Sequence, residues 1–507
     1  MCFGGEKVEP VFEKITFLER LEEKREQRKV ECKSTLLNEE CVSVLSISPF
    51  CFVESGENLD GKVKYNGKIS FYITYIDNGG ELKKSECALD FDGAFEIENL
   101  TCCKQSVNAV VEKVEYSQNG AYLTISAFIS VILSCQKENS VNALVGGDDL
   151  FVDQIESNCL VSLGQKKSVY PIEEEFELSY PISEVLCHNA KAVITATQCG
   201  VGSIIVDGQV LLSAVCLQKN EKRDIIKENK ILPFRMEIEC EDAMPNMLSV
   251  ATVKEKSFKI DVGVDEERGV SVVNAYVSLQ FEGEAFSQNS YCCAKDAFCT
   301  KKHLELVSEN YCSYQKQELR SYNFSVSGKG STMEIPLGAN VVSCCLEKVN
   351  IVGHNRTADR INVVGEYFTT VYFKDAENKV FTRKLEFAFE NFIEGEFGLN
   401  TEFCFKAKAF KTTAKIVSPT ELEIFGEVFL TLYPTTKTEH KVVSDVKFLQ
   451  DKEENSCAIS VYIARANEDV FSLAKRLNQC PDKIRETNKD LQFPLSGNER
   501  IVVYRQK

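Results

Sequence analysis

From about residue 40 to residue 440, apolar and polar residues alternate in runs of five to nine, separated by Gly, Asn and Asp. A period of two puts successive side chains on opposite faces of a strand, and helical periodicity is scarce there, so the stretch is expected to fold as β-sheet. The alternation is itself repeated. KVKYNGKISFYITYID, SIIVDGQVLLSAVCLQ and RINVVGEYFTTVYFKD superpose on Gly67, Gly208 and Gly365. Phe91, Phe234 and Phe389 follow those glycines by 24, 26 and 24 residues. Closing strands then begin at Leu123, Val270 and Leu422, which are 56, 62 and 57 residues beyond the same glycines. Each unit reads as a strand, a Gly and a second strand. The Gly marks a bulge or a close backbone approach, and the Phe is a core plug.

The leaders of the second and third units also agree in kind, with Pro171-Ile172 in one and Pro336-Leu337 in the other. A repeat of about 140 residues results. The expected fold class is mainly β, with β-sandwich-like modules at 31–145, 146–300 and 301–445. Ahead of them, residues 1–30 carry ITFLERLEEKREQRK, in which Phe17, Leu18 and Leu21 form a narrow apolar stripe on an otherwise charged segment. This predicts a short N-terminal helix. Residues 446–456 read as a linker.

Residues 457–507 change texture. Ile459, Val461 and Ile463 alternate as a half-buried strand does, and Asp469 is a natural N-cap. Val470, Leu473, Ala474 and Leu477 then share one helical face. Pro481 opens a second helix that Asn488 ends, and Ile501 and Val503 form a closing strand. This small βααβ order, with Asn488 after the second helix and Gly497 before the last strand, resembles the LysM domain. The family's usual Gly-Asp-Thr-Leu opening is replaced by Asn467-Glu468-Asp469-Val470-Phe471. Asn tolerates the left-handed backbone that Gly would adopt, and Asp caps a helix as well as Thr does.

The resemblance implies a binding groove between the turn before the first helix and the loop after the second. Its candidate residues are Asn467, Glu468, Asp469, Val470 and Phe471 on one side, and Asp490, Leu491, Gln492 and Phe493 on the other. Glu468 and Asp469 are candidates to meet basic residues of a partner, around an apolar centre of Val470, Phe471, Leu491 and Phe493. For Glu468 and Asp469 the structural alternative is capping, and for the four apolar residues it is core packing. Three β modules followed by one LysM domain resemble the SPOCS-domain proteins of spore-forming Clostridia. That resemblance implies coat assembly, with a coat-morphogenesis protein as partner, namely the sporulation ATPase that coats the forespore. It also implies a place on the mother-cell, cytoplasmic side of the forespore surface. LysM domains commonly bind N-acetylglucosamine-containing glycans, so peptidoglycan or cortex remains the alternative ligand.

A net charge of −17, from 59 Lys and Arg against 76 Asp and Glu, repels phosphate backbones and argues against nucleic-acid binding. Met1 to Pro10 has no apolar core of a signal peptide, and LTISAFISVILSC is too short to span a bilayer. The 22 cysteines are therefore expected to stay reduced. Several, including Cys216, Cys344 and Cys345, fall in apolar strand-like runs where a thiol behaves as a small hydrophobe. No CxxC occurs, and the adjacent pairs Cys102-Cys103, Cys292-Cys293 and Cys344-Cys345 are poorly spaced for zinc, so neither metal nor cofactor is expected.

No catalytic constellation emerges, so the chain is expected not to be an enzyme. Cys187 and His188 are neighbours in a strand and point to opposite faces. SVSGKGST (325–332) lacks the glycine spacing of a phosphate loop and reads as a hairpin turn. Glu173, Glu174 and Glu175 read as a solvated strand entry. The sequons at Asn99, Asn323 and Asn355 carry meaning only on export.

Overall fold

The computed structural model describes residues 9–20, 23–35, 41–59, 61–97, 103–119, 122–221, 223–357, 359–453 and 458–504. Leu21, Asn99 and Cys102 lie outside the described residues. The first module contains β1 (Pro10–Arg20), β2 (Lys24–Thr35), β3 (Cys41–Leu59), β4 (Lys62–Asp77), β5 (Leu82–Glu96), β6 (Cys103–Asn119) and β7 (Tyr122–Gly147). The second contains β8 (Leu150–Leu178), β9 (Ile182–Cys199), β10 (Ser203–Gln218), β11 (Ile225–Glu239), β12 (Leu248–Asp265) and β13 (Val270–Cys299). The third contains β14 (Lys302–Lys316), β15 (Arg320–Ser331), β16 (Asn340–Arg356), β17 (Arg360–Lys374), β18 (Val380–Glu394), β19 (Thr401–Ser418) and β20 (Glu421–Asp451). A smaller unit follows, made of β21 (Ile459–Ile463), α1 (Val470–Leu477), α2 (Pro481–Thr487) and β22 (Arg500–Tyr504). Among the described residues no helix is long and apolar enough to cross a membrane.

Each module packs a three-stranded antiparallel sheet (β3-β4-β5, β9-β10-β11, β16-β17-β18) against a second sheet centred on its long last strand. The repeat glycines lie inside single continuous strands, β4, β10 and β17, rather than between two strands. Gly67 pairs directly with Phe91, Gly208 with Phe234 and Gly365 with Phe389. The ring lies over the glycine: a Cβ on Gly67, Gly208 or Gly365 would stand 2.2, 2.3 or 2.4 Å from it. The constant spacing in sequence is thus the length of one hairpin, and the close approach is real in all three modules. Replacing these glycines by Ala should cost about 1–3 kcal/mol each through overpacking. Gly208→Ala should cost the most, because its Cβ would also lie 2.4 Å from the Val193 carbonyl oxygen, which is backbone and cannot swing aside. Urea unfolding midpoints check this, and a neutral Gly208→Ala would refute the contact.

The N-terminal helix is corrected to strands. Residues 10–20 and 24–35 pair antiparallel with the two halves of β7. They thereby match β14 and β15, which pair with the two halves of β20. The first module accordingly begins near residue 10. In the second module β8 does the work of both strands, and its pairing with β13 shifts register at Gly164 (φ 123°), jumping from Gln165 to Ser162. The charged run suits the outer position of β2, where Arg25–Glu112 (2.5 Å), Arg28–Glu26 (2.9 Å) and Lys29–Glu31 (2.6 Å) pair along a solvated edge. Two further expectations change in the same way. Residues 325–331 of SVSGKGST lie in β15, paired with β20, and are not a hairpin turn. Residues 446–451 belong to β20 rather than to a linker.

Beyond each sandwich the last strand continues as a two-stranded ribbon: β1 with β7, the start of β8 with the end of β13, and β14 with β20. A lone ribbon cannot bury its own apolar face. The three pack together, enclosing Ile15, Phe17 and Val141 from the first, Cys159 and Cys293 from the second, and Tyr311 and Val442 from the third. Phe17 stacks on Tyr311 at 4.5 Å, and Tyr311 on His440 at 4.8 Å. Ser157 and Ser313 satisfy the two imidazole nitrogens at 3.3 and 2.9 Å, so the histidine at this junction is fully partnered. Cys216, Cys344 and Cys345 are free thiols buried among apolar side chains.

Candidate functional site

The C-terminal unit is built from the residues its sequence proposes. Asp469 caps α1, accepting from the Ser472 backbone N–H at 2.7 Å. That bond is the largest of the contributions holding its carboxyl below the usual range. Leu473, Ala474 and Leu477 form the buried face of α1, with Val470 half-buried beside them. Asn467 takes the left-handed conformation at φ 60°, as its place before the helix requires. Asn488 ends α2 and fastens it to β22: its amide donates to the Val502 carbonyl (2.8 Å) and accepts from the Val502 N–H (2.8 Å).

The two expected groove loops are neighbours. Asn467 N–H donates to the Leu495 carbonyl at 2.8 Å, and Leu495 N–H to the Glu468 carbonyl at 2.9 Å. Their side chains, however, do not form one open groove. Glu468 is 7% exposed and clamps Arg476 through two contacts of 2.7 Å, while accepting the Arg465 N–H at 3.1 Å. The Arg476 guanidinium holds its carboxyl below the ordinary range, and this pair serves the unit's own fold. Phe471 meets Phe298 of the second module edge-on at 5.3 Å, and Phe298 in turn stacks on Phe151 at 5.2 Å. Leu491 and Phe493 pack into the same core. The expected apolar centre is therefore largely structural, while Asn467, Asp490 and Gln492 remain exposed. Lys475 pairs with Asp296 at 2.6 Å, and Asn478 donates to the Thr300 carbonyl at 2.9 Å, completing the seat on the second module.

The surface that sequence reasoning missed is on β21. Its alternation was read correctly, but the assignment of faces is reversed: Ile459, Val461 and Ile463 are 61%, 59% and 55% exposed, whereas Ile501 and Val503 of β22 are buried. Register places Ile459 opposite Tyr504, Val461 opposite Val502 and Ile463 opposite Arg500. These six residues form a contiguous, mainly apolar outer face ending in a cation. Both strands of β21 and β22 carry apolar residues on both faces, so no period could say which face is covered.

Comparison with protein-family models, with curated proteins and with solved structures found no match.

Proposed function

We propose that the chain is a non-enzymatic interaction protein of spore-envelope assembly, in which SPOCS-type β modules form a scaffold and a LysM-type C-terminal unit binds a coat-morphogenesis protein, the sporulation ATPase of the coat base layer, at the mother-cell face of the forespore. The observation that carries the protein-binding part is the outer face of β21 and β22. Contiguous exposed apolar side chains on a folded unit mark an interaction surface. Its charge setting defines the partner: residues 457–507 hold nine Lys and Arg against six Asp and Glu, within a chain of net charge −17. A basic unit with an apolar face fits an acidic surface with an apolar centre. The family part of the reading rests on the threefold repeat and the order of the units.

The test compares the full-length chain with a Val461→Glu, Ile463→Glu double variant, for binding to the purified ATPase and to insoluble peptidoglycan. Both positions are solvent-exposed, so thermal stability should change by about 0.5 kcal/mol or less. Loss of ATPase binding by about a hundredfold, at two central apolar contacts, is the expected result. Unchanged binding would sink the proposed surface. Retention on peptidoglycan alone, abolished by changing Asn467 and Gln492, would put the glycan reading first.

A further inference from the structure

A second site lies where the sandwiches give way to the ribbons. A cavity of about 270 Å³ is walled by all three modules, through β6 and β7, β12 and β13, and β14, β19 and β20. Its charges are unbalanced. Glu284 takes Lys104 at 3.0 Å and Lys316 at 3.1 Å, and Glu282 takes Lys254 at 3.4 Å and Lys167 at 3.5 Å. Each carboxylate thus already faces two ammonium groups. Lys406 lines the same cavity with no carboxylate in ion-pairing distance among the described residues, its ammonium lying 5.4 Å from the Tyr433 ring. Arg20 and Glu23 also line the cavity and pair with each other at 2.9 Å, so of the lining cations Lys406 is the one left without a carboxylate among the described residues, in a protein whose overall charge is strongly negative.

The hydrogen-bonding capacity is also unspent. Gln136 Nε2 and Gln105 Oε1, both on residues lining this cavity, are buried without a partner. A buried donor or acceptor left unmade costs about 1–3 kcal/mol, so each of these two groups calls for a partner, Gln136 on the face of Lys104 and Gln105 on the other. The donors at hand are ammonium groups and a carboxamide N–H, which suit oxyanion oxygens. The acceptor suits an O–H.

We propose that this three-module cavity is a binding site for a small oxyanion that carries a hydroxyl group, of the hydrogen phosphate or hydroxycarboxylate class, with Lys406 as its principal cationic contact. Low dielectric strengthens attraction to an anion there, and burial pushes the Lys406 ammonium down to about 8. An anion bridging residues of three modules ties them together, so occupancy stabilises the whole chain by mass action.

The experiment titrates the full chain with inorganic phosphate and, separately, with citrate, at constant ionic strength. Calorimetry and, for phosphate, ³¹P line broadening report stoichiometry, which separates site binding from general salting effects. Saturable one-to-one binding of either anion is expected, and the arm that binds tells phosphate from carboxylate. Lys406→Gln should weaken it by at least about tenfold. Lys415→Gln, on the same module but away from the cavity, should leave it unchanged. Absence of saturable binding of both anions to the wild-type chain overturns the proposal, and so does equal affinity in a folded Lys406→Gln. Should Lys406→Gln fail to fold, Lys316→Gln carries the same comparison with the same two readings.

Discussion

Glu347→Gln should lower the stability of the chain by about 3–5 kcal/mol, the loss expected when one partner of a buried ion pair is removed. Glu347 sits in a bulge of β16: Leu346 takes φ 54°, and the pairing with β17 jumps from Cys345 to Lys348. The bulge turns the carboxylate toward the second module, where Lys227 contacts it directly and Lys191 lies 3.9 Å away. Their side chains are only 2%, 9% and 13% exposed. Lys191 also donates to the carbonyls of Glu347 (2.9 Å) and Ala409 (2.7 Å), so one ammonium ties two strands of the third module to the second. Gln keeps the shape but removes the carboxylate that directly pairs two buried ammonium groups. The contrast is Glu377→Gln, which breaks a pair with Lys379 whose side chains are 73% and 74% exposed and should cost less than about 1 kcal/mol. Urea unfolding of both variants checks the difference; equal midpoints would mean that the buried network does not hold the modules together.

Acid should unfold the protein steeply. Burial acts to raise the carboxyls of Glu255, Glu282, Glu284 and Glu347, yet the ammonium groups of Lys408, Lys254, Lys316 and Lys227 lead the opposing contributions and leave each below its ordinary value of 4.5. With folded values depressed, the unfolded chain binds more protons in this range. The stability these groups supply is therefore fully present above the unfolded value near 4.5, and is lost as pH falls through the folded values. Each titrating carboxyl contributes a slope of up to about 1.4 kcal/mol per pH unit, so four together reach at most about 5.6 kcal/mol per unit at the steepest point. A domain of ordinary stability, about 5–15 kcal/mol, is exhausted within a few units. Unfolding free energies at pH 7, 5, 4 and 3 test this. Glu347→Gln should reduce the slope by about one proton's worth, and a flat profile between pH 5 and 3 would contradict the assignment.

Glu255 meets Lys408 at 3.0 Å across the second and third modules, and Glu284 joins Lys104 of the first to Lys316 of the third. These pairs explain why the two experiments probe assembly of the modules as much as their interiors. None was legible in the sequence, because residues 180 apart, such as Lys104 and Glu284, leave no periodic trace. The Gly–Phe pairs were legible for the opposite reason. Gly67 and Phe91 are joined by one hairpin, so a fixed geometry becomes a fixed spacing, repeated in each module.

The capping of α1 by Asp469, the left-handed Asn467 and the fastening Asn488 were likewise readable, since each acts within a few residues or within one small unit. Phe471 was not, because its neighbour Phe298 belongs to another module. The same limit misplaced the N-terminal segment. Its charges satisfy a helix and an edge strand equally well, and the open side of β7 decides between them.

What the sequence by itself determined was local: strand period, the threefold repeat, turn residues and helix caps, all of which follow from backbone geometry over short distances. The tertiary structure decided which face of β21 is bare, which lysines face which carboxylates, and that three ribbons close one junction. Those outcomes depend on which surfaces meet, and burial is a property of the meeting rather than of either strand alone.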